Sequence, residues 1–536
     1  MNNKQNMKYV LLVTFVAALG GLLFGYDTAV ISGTTGALKS FFVDPLLKNQ
    51  QLANRVVVEY HIVIACSAAL VGALFTYFLF HMFEKMKAII FSALMFVIGG
   101  LIIYSTFFKG TTTFDNDAAN SIRGFIISSA LVGCIVGGAI GGAISNKLGR
   151  RNGMILAAIM FGITSVGSAM PDTLNYFGVE TVTSLIIYRM IGGVGVGLAS
   201  MLAPMYIAEM APAKYRGMLV SLNQFAIIFG MNIVYFVNYY IASQGTADWL
   251  NTVGWRWMFA SEMIPVLFFL FCLFFVPETP RYLIMKDKGD AALKVLGKLV
   301  GKDEAKEEIG NIKLSLVVKN SPWLTYGFGV IVIGMLISFF QQAVGINVVL
   351  YYAPEIFRNM GSSTDNSLLQ TIIVGIVNLT FTTVAVFTVD KFGRKPLMII
   401  GALGMAVSMV LLGLTFYFKI VGVASLILML LYTASFAVSW GPVAWVLLSE
   451  IFPNSIRSAM SIAVAFQWIS NLVVSWTFPM MNDNTFLTNT FNHGFAYWIY
   501  AAMGVVAALF IWRVLPETKG MTLEDMNSIW KPAKKN

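Results

Sequence analysis

Three ionisable side chains, Asp27, Arg189 and Glu262, stand inside long apolar runs. Ionised groups at such positions are costly in hydrocarbon and mark ion pathways, proton relays or counter-ion pairs. Counted from the ends of their runs, all three lie about 9–14 Å deep at 1.5 Å per residue. That common depth permits an Asp27–Arg189 contact with Glu262 nearby, a set that can take up and release a proton as burial and the cation compete. The competing reading is a fixed structural ion pair. A second set consists of amides and indoles in the same kind of run: Gln224, Gln341, Gln342, Asn347, Asn378, Trp440, Gln467 and Trp468. Amides that donate and accept, together with aromatic faces and few charges, suit a ring that carries hydroxyls on its rim and C–H bonds on its faces. Singly, an intramembrane amide often bonds only a neighbouring helix, and an indole is often packing or interface belt. Gln341, Gln342 and Asn347 would fan over about 220° of a continuous helix. They can share one cavity only if the helix unwinds. Gly345 between them, with Pro354 beyond, predicts a break near Gly345. Gly441-Pro442 predicts a second break after Trp440.

The elements that must hold these groups follow from composition. Of 536 residues, 57% are hydrophobic and 12% charged. A soluble domain carries about 25% charge, and a disordered chain has fewer apolar groups still. Apolar runs of about 20 residues read as spanning helices, because backbone groups in lipid must pair within the segment. About 14 such runs occur, at 10–36, 57–80, 87–108, 121–146, 152–170, 181–208, 217–242, 256–276, 323–357, 368–390, 396–418, 423–449, 458–481 and 495–515. The first is too long for a signal-peptide core and is expected to remain as an uncleaved helix. Cys66, Cys134 and Cys272 all lie in apolar segments without metal-ligand spacing, which speaks against a disulfide frame or zinc site. Gly193, Gly195 and Gly197 lack a preceding strand and read as close helix packing rather than a nucleotide loop. No catalytic triad, metal cluster or phosphate loop occurs, so an enzyme or an ATP-driven pump is not expected, nor is any cofactor beyond the proton. The net charge of +10 sits at the ends of apolar runs and reads as topology rather than nucleic-acid binding.

Alternate loops differ sharply in charge. One set holds Lys85, Lys87, Lys147, Arg150, Arg151, Lys214, Arg216, the 281–322 stretch, Lys391–Lys395, Arg457 and the Lys-bearing tail. The positive-inside rule places that set, and with it both termini, in the cytoplasm, with the chain in the cytoplasmic (inner) membrane. Four patterns then recur in one order at an offset of roughly 240 residues. Gly149-Arg150-Arg151 matches Gly393-Arg394-Lys395, Pro204 matches Pro442, Glu209…Arg216 matches Glu450…Arg457, and Pro277-Glu278-Thr279 matches Pro516-Glu517-Thr518. Two halves of six spans each would be parallel repeats about an axis along the membrane normal, an arrangement that favours a transporter with a site between rocking halves. The expected division is a first bundle over 1–280, with an inserted helical hairpin at about 50–120, linker helices over 281–322, and a second bundle with a short tail over 323–536. Arg150, Glu209, Arg216, Glu278 and Arg281, with Arg394, Glu450 and Arg457, repeat both signs of charge at matched ends. They are candidates for salt bridges between the half-bundles that close the cytoplasmic side.

These paired patterns, with Gly25-Tyr26-Asp27, Pro280-Arg281, Gln341-Gln342-Ala343-Val344-Gly345-Ile346-Asn347 and Ser439-Trp440-Gly441-Pro442, resemble the major facilitator superfamily. More narrowly the chain is similar to the sugar porter family and its bacterial D-xylose–proton symporters, over nearly all its length except 50–120. The resemblance implies the major facilitator fold of two six-helix repeats, here with the added hairpin in an all-α polytopic membrane protein. It assigns sugar contact to Gln224, Gln341, Gln342, Asn347, Trp440 and Gln467, and cavity lining to Phe24, Tyr351, Asn378 and Trp468. It assigns proton coupling to Asp27. Met231 departs from the xylose pattern, where a glutamine is usual. The function implied is proton-coupled symport of a monosaccharide, D-xylose, by alternating access, in a monomer whose partners are sugar, proton and lipid bilayer and not nucleic acid. A facilitator without proton coupling and a non-transporting membrane sugar sensor are the alternatives.

Overall fold

A computed structural model describes residues 6–82, 114–212, 215–317, 322–452, 456 and 459–517. Every regular element among them is helical. Thirteen helices among the described residues are long and apolar enough to cross a membrane. The chain is an all-α polytopic membrane protein. The expected span 87–108 lies outside the described residues.

The first half contains α1 (Met7–Leu38), α2 (Gln50–Met82), α3 (Asn116–Leu148), α4 (Arg150–Ala169), α5 (Thr181–Met210), α6 (Arg216–Ala242) and α7 (Ala247–Leu273). Three linker helices follow, α8 (Pro280–Met285), α9 (Gly289–Leu299) and α10 (Lys302–Val317). Helix α9 buries Ala292, Val295, Leu296 and Leu299, one helical face. The Leu299 carbonyl accepts the Asn6 amide at 3.3 Å, which docks the linker on the start of α1. The second half contains α11 (Gly329–Ala343), α12 (Ile346–Asn359), α13 (Thr364–Phe392), α14 (Arg394–Tyr417), α15 (Val423–Val438), α16 (Trp440–Ile451), α17 (Met460–Asn482) and α18 (Phe495–Val514). Among the described residues, and without α2, each half has six spans, since α11–α12 and α15–α16 are broken single spans.

Glycine lets helices approach where a side chain would strike backbone. A Cβ on Gly133 of α3 would fall 1.9 Å from the Met190 carbonyl of α5, and one on Gly193 of α5 would fall 1.8 Å from that of Ala130. The glycine series of α5 is therefore a helix crossing, as its sequence context predicts. Between the halves, α3 packs on α17, α6 on α13 and α1 on α12. The additional helix α2 runs beside α3, with Tyr60 Oη 2.8 Å from Ser121 Oγ.

The two expected breaks are present. Gly345 has φ +90° and joins α11 to α12, the left-handed conformation that glycine adopts without penalty. The second break falls at Ser439, with φ −128° and ψ −92°, slightly ahead of Gly441-Pro442. Pro442 sits instead in the first turn of α16, where a missing N–H costs nothing.

Gly345→Ala is expected to lower thermal stability and slow transport. Its Cβ would meet the Tyr500 ring at 2.7 Å, and left-handed backbone costs an L side chain about 1–2 kcal/mol. Gly72→Ala, where nothing lies within 4 Å, is expected to change neither. Thermal unfolding in detergent and uptake in proteoliposomes check both.

Candidate functional site

A cavity of about 2800 Å³ lies between the halves. Phe24 and Gln224 line it from the first half. Gln341, Gln342, Asn347, Tyr351, Asn378, Gln467 and Trp468 line it from the second. The sequence-predicted set thus meets in one place, with one exception. The broken helix explains the convergence. Gln341 Nε2 donates to the Trp440 carbonyl at 3.0 Å, Gln342 Nε2 to Gln341 Oε1 at 3.4 Å, and Asn347 Nδ2 to Gln342 Oε1. These three amides form a chain across the break. The Gln467 Oε1 atom is buried without a protein partner. Phe24 and Trp468 meet across the two halves, ring centroids 5.7 Å apart. Met231 also faces the cavity, a thioether with little hydrogen-bonding capacity.

The exception is Trp440. Its side chain is fully buried behind the wall, and its indole N–H donates to the Met398 carbonyl at 2.9 Å. Its backbone carbonyl accepts from Gln341 Nε2, and the next residue, Gly441, lines the cavity in its place. Asn223 and Asn471 also line the cavity and went unnoticed in the sequence. The signals were available: Asn223 precedes Gln224, and Asn471 follows Gln467 by one helical turn.

The ionisable set lies one turn from this wall, because Asp27 follows Phe24 by three residues. Arg189 Nη1 donates to Asp27 Oδ1 at 2.8 Å, and Nη2 to the Asp27 backbone carbonyl at 3.4 Å. Asp27 and Glu262 are 0% exposed and Arg189 is 2% exposed. Asp27 Oδ2 and both Glu262 oxygens have no partner among the described residues. Glu262 sits where α7 is interrupted by a turn. The guanidinium lies over the Phe259 ring at 5.5 Å.

At the cation-rich end, both halves build the same knot. Gly149 (φ +93°) and Gly393 (φ +89°) start α4 and α14. Glu278 accepts the Arg150 N–H at 3.0 Å and the Arg151 N–H at 3.1 Å. Glu517 accepts those of Arg394 and Lys395 at 3.1 and 3.0 Å. A carboxylate at a helix N-terminus satisfies orphan amides and meets the positive end of the dipole. Burial pushes the Glu278 carboxyl above its ordinary value, and the Thr279, Arg150 and Arg151 amides pull against that shift. Arg150 pairs with Glu209 at 2.8 Å, and Arg394 with Glu450 at 2.9 Å. Each of these bridges lies within one half. The expectation of pairing between half-bundles is not met by them, because the cavity opens between the two knots, past Arg216, Arg281, Glu209 and Arg394. Arg457 lies outside the described residues.

The opposite end is closed. Trp476 Nε1 donates to the Ser121 carbonyl at 3.0 Å, and Asn120 Nδ2 to the Asp483 carbonyl at 3.2 Å. Arg123 bonds both Glu355 and Asp483. Arg123 and Glu355 are intramembrane charges that sequence reading passed over because they stand near the ends of their runs.

Residues 13–114 and 102–530 match the family model described as sugar (and other) transporter. The chain belongs to that family. This sugar transporter is 50% identical to the D-xylose-proton symporter of Escherichia coli (strain K12), over 100% of this chain and 98% of that one. It is 36% identical to the glucose facilitated diffusion protein of Zymomonas mobilis, over the whole of both. Among solved structures, an inward-open conformation of the E. coli xylose transporter XylE matches with TM-score 0.77 and 48% identity, over 98% of this chain and 100% of that one. XylE bound to 6-bromo-6-deoxy-D-glucose matches with TM-score 0.73 and 50% identity, over 98% and 100%. The fold of this sugar transporter is the major facilitator fold, and the protein is a transporter rather than an enzyme.

Glu278→Ala is expected to loosen the α3–α4 corner, since it strips the Arg150 and Arg151 amides of their acceptor. The loss expected is about 1–3 kcal/mol of stability, read as a lower melting temperature in detergent.

Proposed function

We propose that this protein carries a monosaccharide, D-xylose, across the cytoplasmic membrane together with a proton, by alternating access between its two halves. The observation that carries the reading is the buried Asp27–Arg189–Glu262 set placed one turn behind an amide-lined cavity. The 50% identical E. coli relative is named a D-xylose-proton symporter, which supports both the sugar and the ion. Gln224, Gln341, Gln342, Asn347 and Gln467 bond the sugar hydroxyls, Phe24, Tyr351, Asn378 and Trp468 line the hollow, and the Trp440 backbone holds Gln341. Residues 1–280 and 323–536 act as the two bundles, joined by the 281–322 linker. The cation-rich end and both termini face the cytoplasm. The protein works as a monomer in the bilayer, and the chemistry calls for no cofactor besides the proton.

One guanidinium faces two carboxyl groups in a low-dielectric interior, so one bound proton balances the set. Protonation of Asp27 from outside weakens its hold on Arg189 and frees α1 to move against α5. Sugar binding draws the two halves together, and the proton leaves after the cavity opens inward, where the ion pair re-forms. One proton moving down 100 mV supplies about 2.3 kcal/mol, roughly a 50-fold sugar gradient. Asp27→Asn removes the charge that the proton cancels. Protonophore-sensitive accumulation of radiolabelled xylose is expected to vanish, while sugar counterflow in proteoliposomes persists. Accumulation that survives the substitution would show the assignment to be wrong. The Z. mobilis relative, named for facilitated diffusion, favours a second reading, a facilitator without coupling. Wild-type uptake that equilibrates but never exceeds the outside concentration would select it.

The two knots of the cation-rich end form the inner gate. With the outer side open, the bundles close on each other there, bringing Arg150, Glu209, Arg216, Glu278 and Arg281 against Arg394, Glu450 and Arg457. Glu209→Ala and Glu450→Ala are expected to shift the population toward the inward-open state. Labelling of a cysteine at Ser200, which lines the cavity, from the cytoplasmic side should rise in both. Unchanged labelling in both variants counts against the gate.

A further inference from the structure

We infer that Arg123 is a positioning residue for transport: it pins the half-helix α12 across the seam and so holds the outer entrance of the cavity shut. The inference rests on the proposed orientation and deepens the symport reading. Arg123 belongs to α3 of the first half, and its two acceptors belong to the second. Glu355 is on α12, and Asp483 closes α17, its Oδ2 lying 2.6 Å from Arg123 Nη1. Arg123 is 3% and Glu355 5% exposed. A charge pair this dry holds firmly once formed, since separating the partners leaves each charge buried alone.

Helix periodicity gives the pair its leverage. Asn347, Tyr351 and Glu355 recur at four-residue spacing and so share one face of α12. The first two line the cavity. Arg123 therefore grips the same face that carries sugar-site residues, one turn farther out. The seam around it is shaped for closure. A Cβ on Gly124 would sit 2.1 Å from the Trp476 carbonyl, so α3 and α17 touch backbone to backbone beside the ion pair. Outward opening has to part α3 from α12 and α17, which breaks the Arg123 contacts and admits water to all three charges. The latch thus biases the resting protein toward the inward-open state, and a sugar arriving from outside binds a minor population. Apparent affinity is reduced by the fraction that is competent, so weakening the latch tightens external binding.

The test reads accessibility without sugar or proton gradient, which separates it from the substrate assignment. Ser128 lies one turn below Gly124 on the same face of α3 and is fully buried. In the full chain, Ser128→Cys is labelled with a membrane-impermeant maleimide, with the parent lacking that substitution as the background for Cys66. Arg123→Gln is expected to raise the labelling rate roughly tenfold, the change that about 1.4 kcal/mol makes in a two-state equilibrium. It is also expected to lower the KM for external sugar, and Arg123→Lys is expected to restore both. If Arg123→Gln does not fold with Glu355 left unpaired, Arg123→Gln/Glu355→Gln removes both charges and carries the same expectation. A rise seen from right-side-out vesicles supports the latch and the orientation. A rise seen only from inside-out vesicles supports the latch and overturns the orientation. Unchanged labelling and unchanged KM in the folded variants overturn the latch.

Discussion

Hydrocarbon offers no hydrogen-bonding partner, and the whole structure follows from that constraint. Each spanning segment closes its own backbone bonds as a helix. Each polar side chain within a span must then find protein or a water-filled space. The buried amides, hydroxyls and charges of this chain accordingly face the seam between halves or the interior of one half, while Phe271, Ile264 and Ile400 point outward. The cavity is where the halves leave polar groups without protein partners, as at Gln467 Oε1.

That constraint makes irregular backbone informative. A helix can break at membrane depth only where the freed groups are buried in protein or line a cavity. Gly345 satisfies this by seating against the Tyr500 ring, and the break rotates Asn347 into reach of Gln342. At Ser439 the break exposes the carbonyls of Trp440 and Gly441 to Gln341 Nε2, at 3.0 and 3.3 Å. The two discontinuities therefore meet through one side chain, and a glutamine is needed there because its amide can donate to the second break while its oxygen accepts from Gln342.

Much of this was legible in the sequence because the signals are local and periodic. The spans, the paired Gly-Arg patterns and the Gly345 break each need only a short window of chain. The depth argument placed Asp27, Arg189 and Glu262 together because helical rise is constant. What escaped depends on rotation or on partners far away in the chain. Nothing local says that the Trp440 indole turns toward Met398 rather than the cavity. Arg123 near the edge of its run resembles an interfacial anchor until Glu355 and Asp483 are placed beside it. The inner salt bridges were read as joining the halves, yet the Arg150–Glu209 and Arg394–Glu450 bridges each lie within one half, because a sequence does not state toward which side a cavity between halves is open.

The division of polar groups between the halves bears on how coupling is achieved. The Asp27–Arg189–Glu262 set belongs wholly to the first half. The amides Gln341, Gln342, Asn347, Asn378 and Gln467 belong to the second. The broken span α15–α16 and helix α18, which answer to α5 and α7 in the repeat, carry charge only near their cation-rich ends, Glu450 at the end of α16 and Arg513 in the last turn of α18. In the proposed symport a proton on Asp27 would therefore act on a sugar held mainly by the other bundle. Direct electrostatic contact is a poor carrier, since the sugar is neutral. Motion of one bundle against the other is a good one, because α1 packs on α5 within its own half and on α12 across the seam. On the proposed mechanism a change in the Asp27–Arg189 pair would shift α1, which meets the second half through Phe24 and Trp468. Coupling then requires only that the ion pair and the sugar site favour different arrangements of the same two rigid bodies.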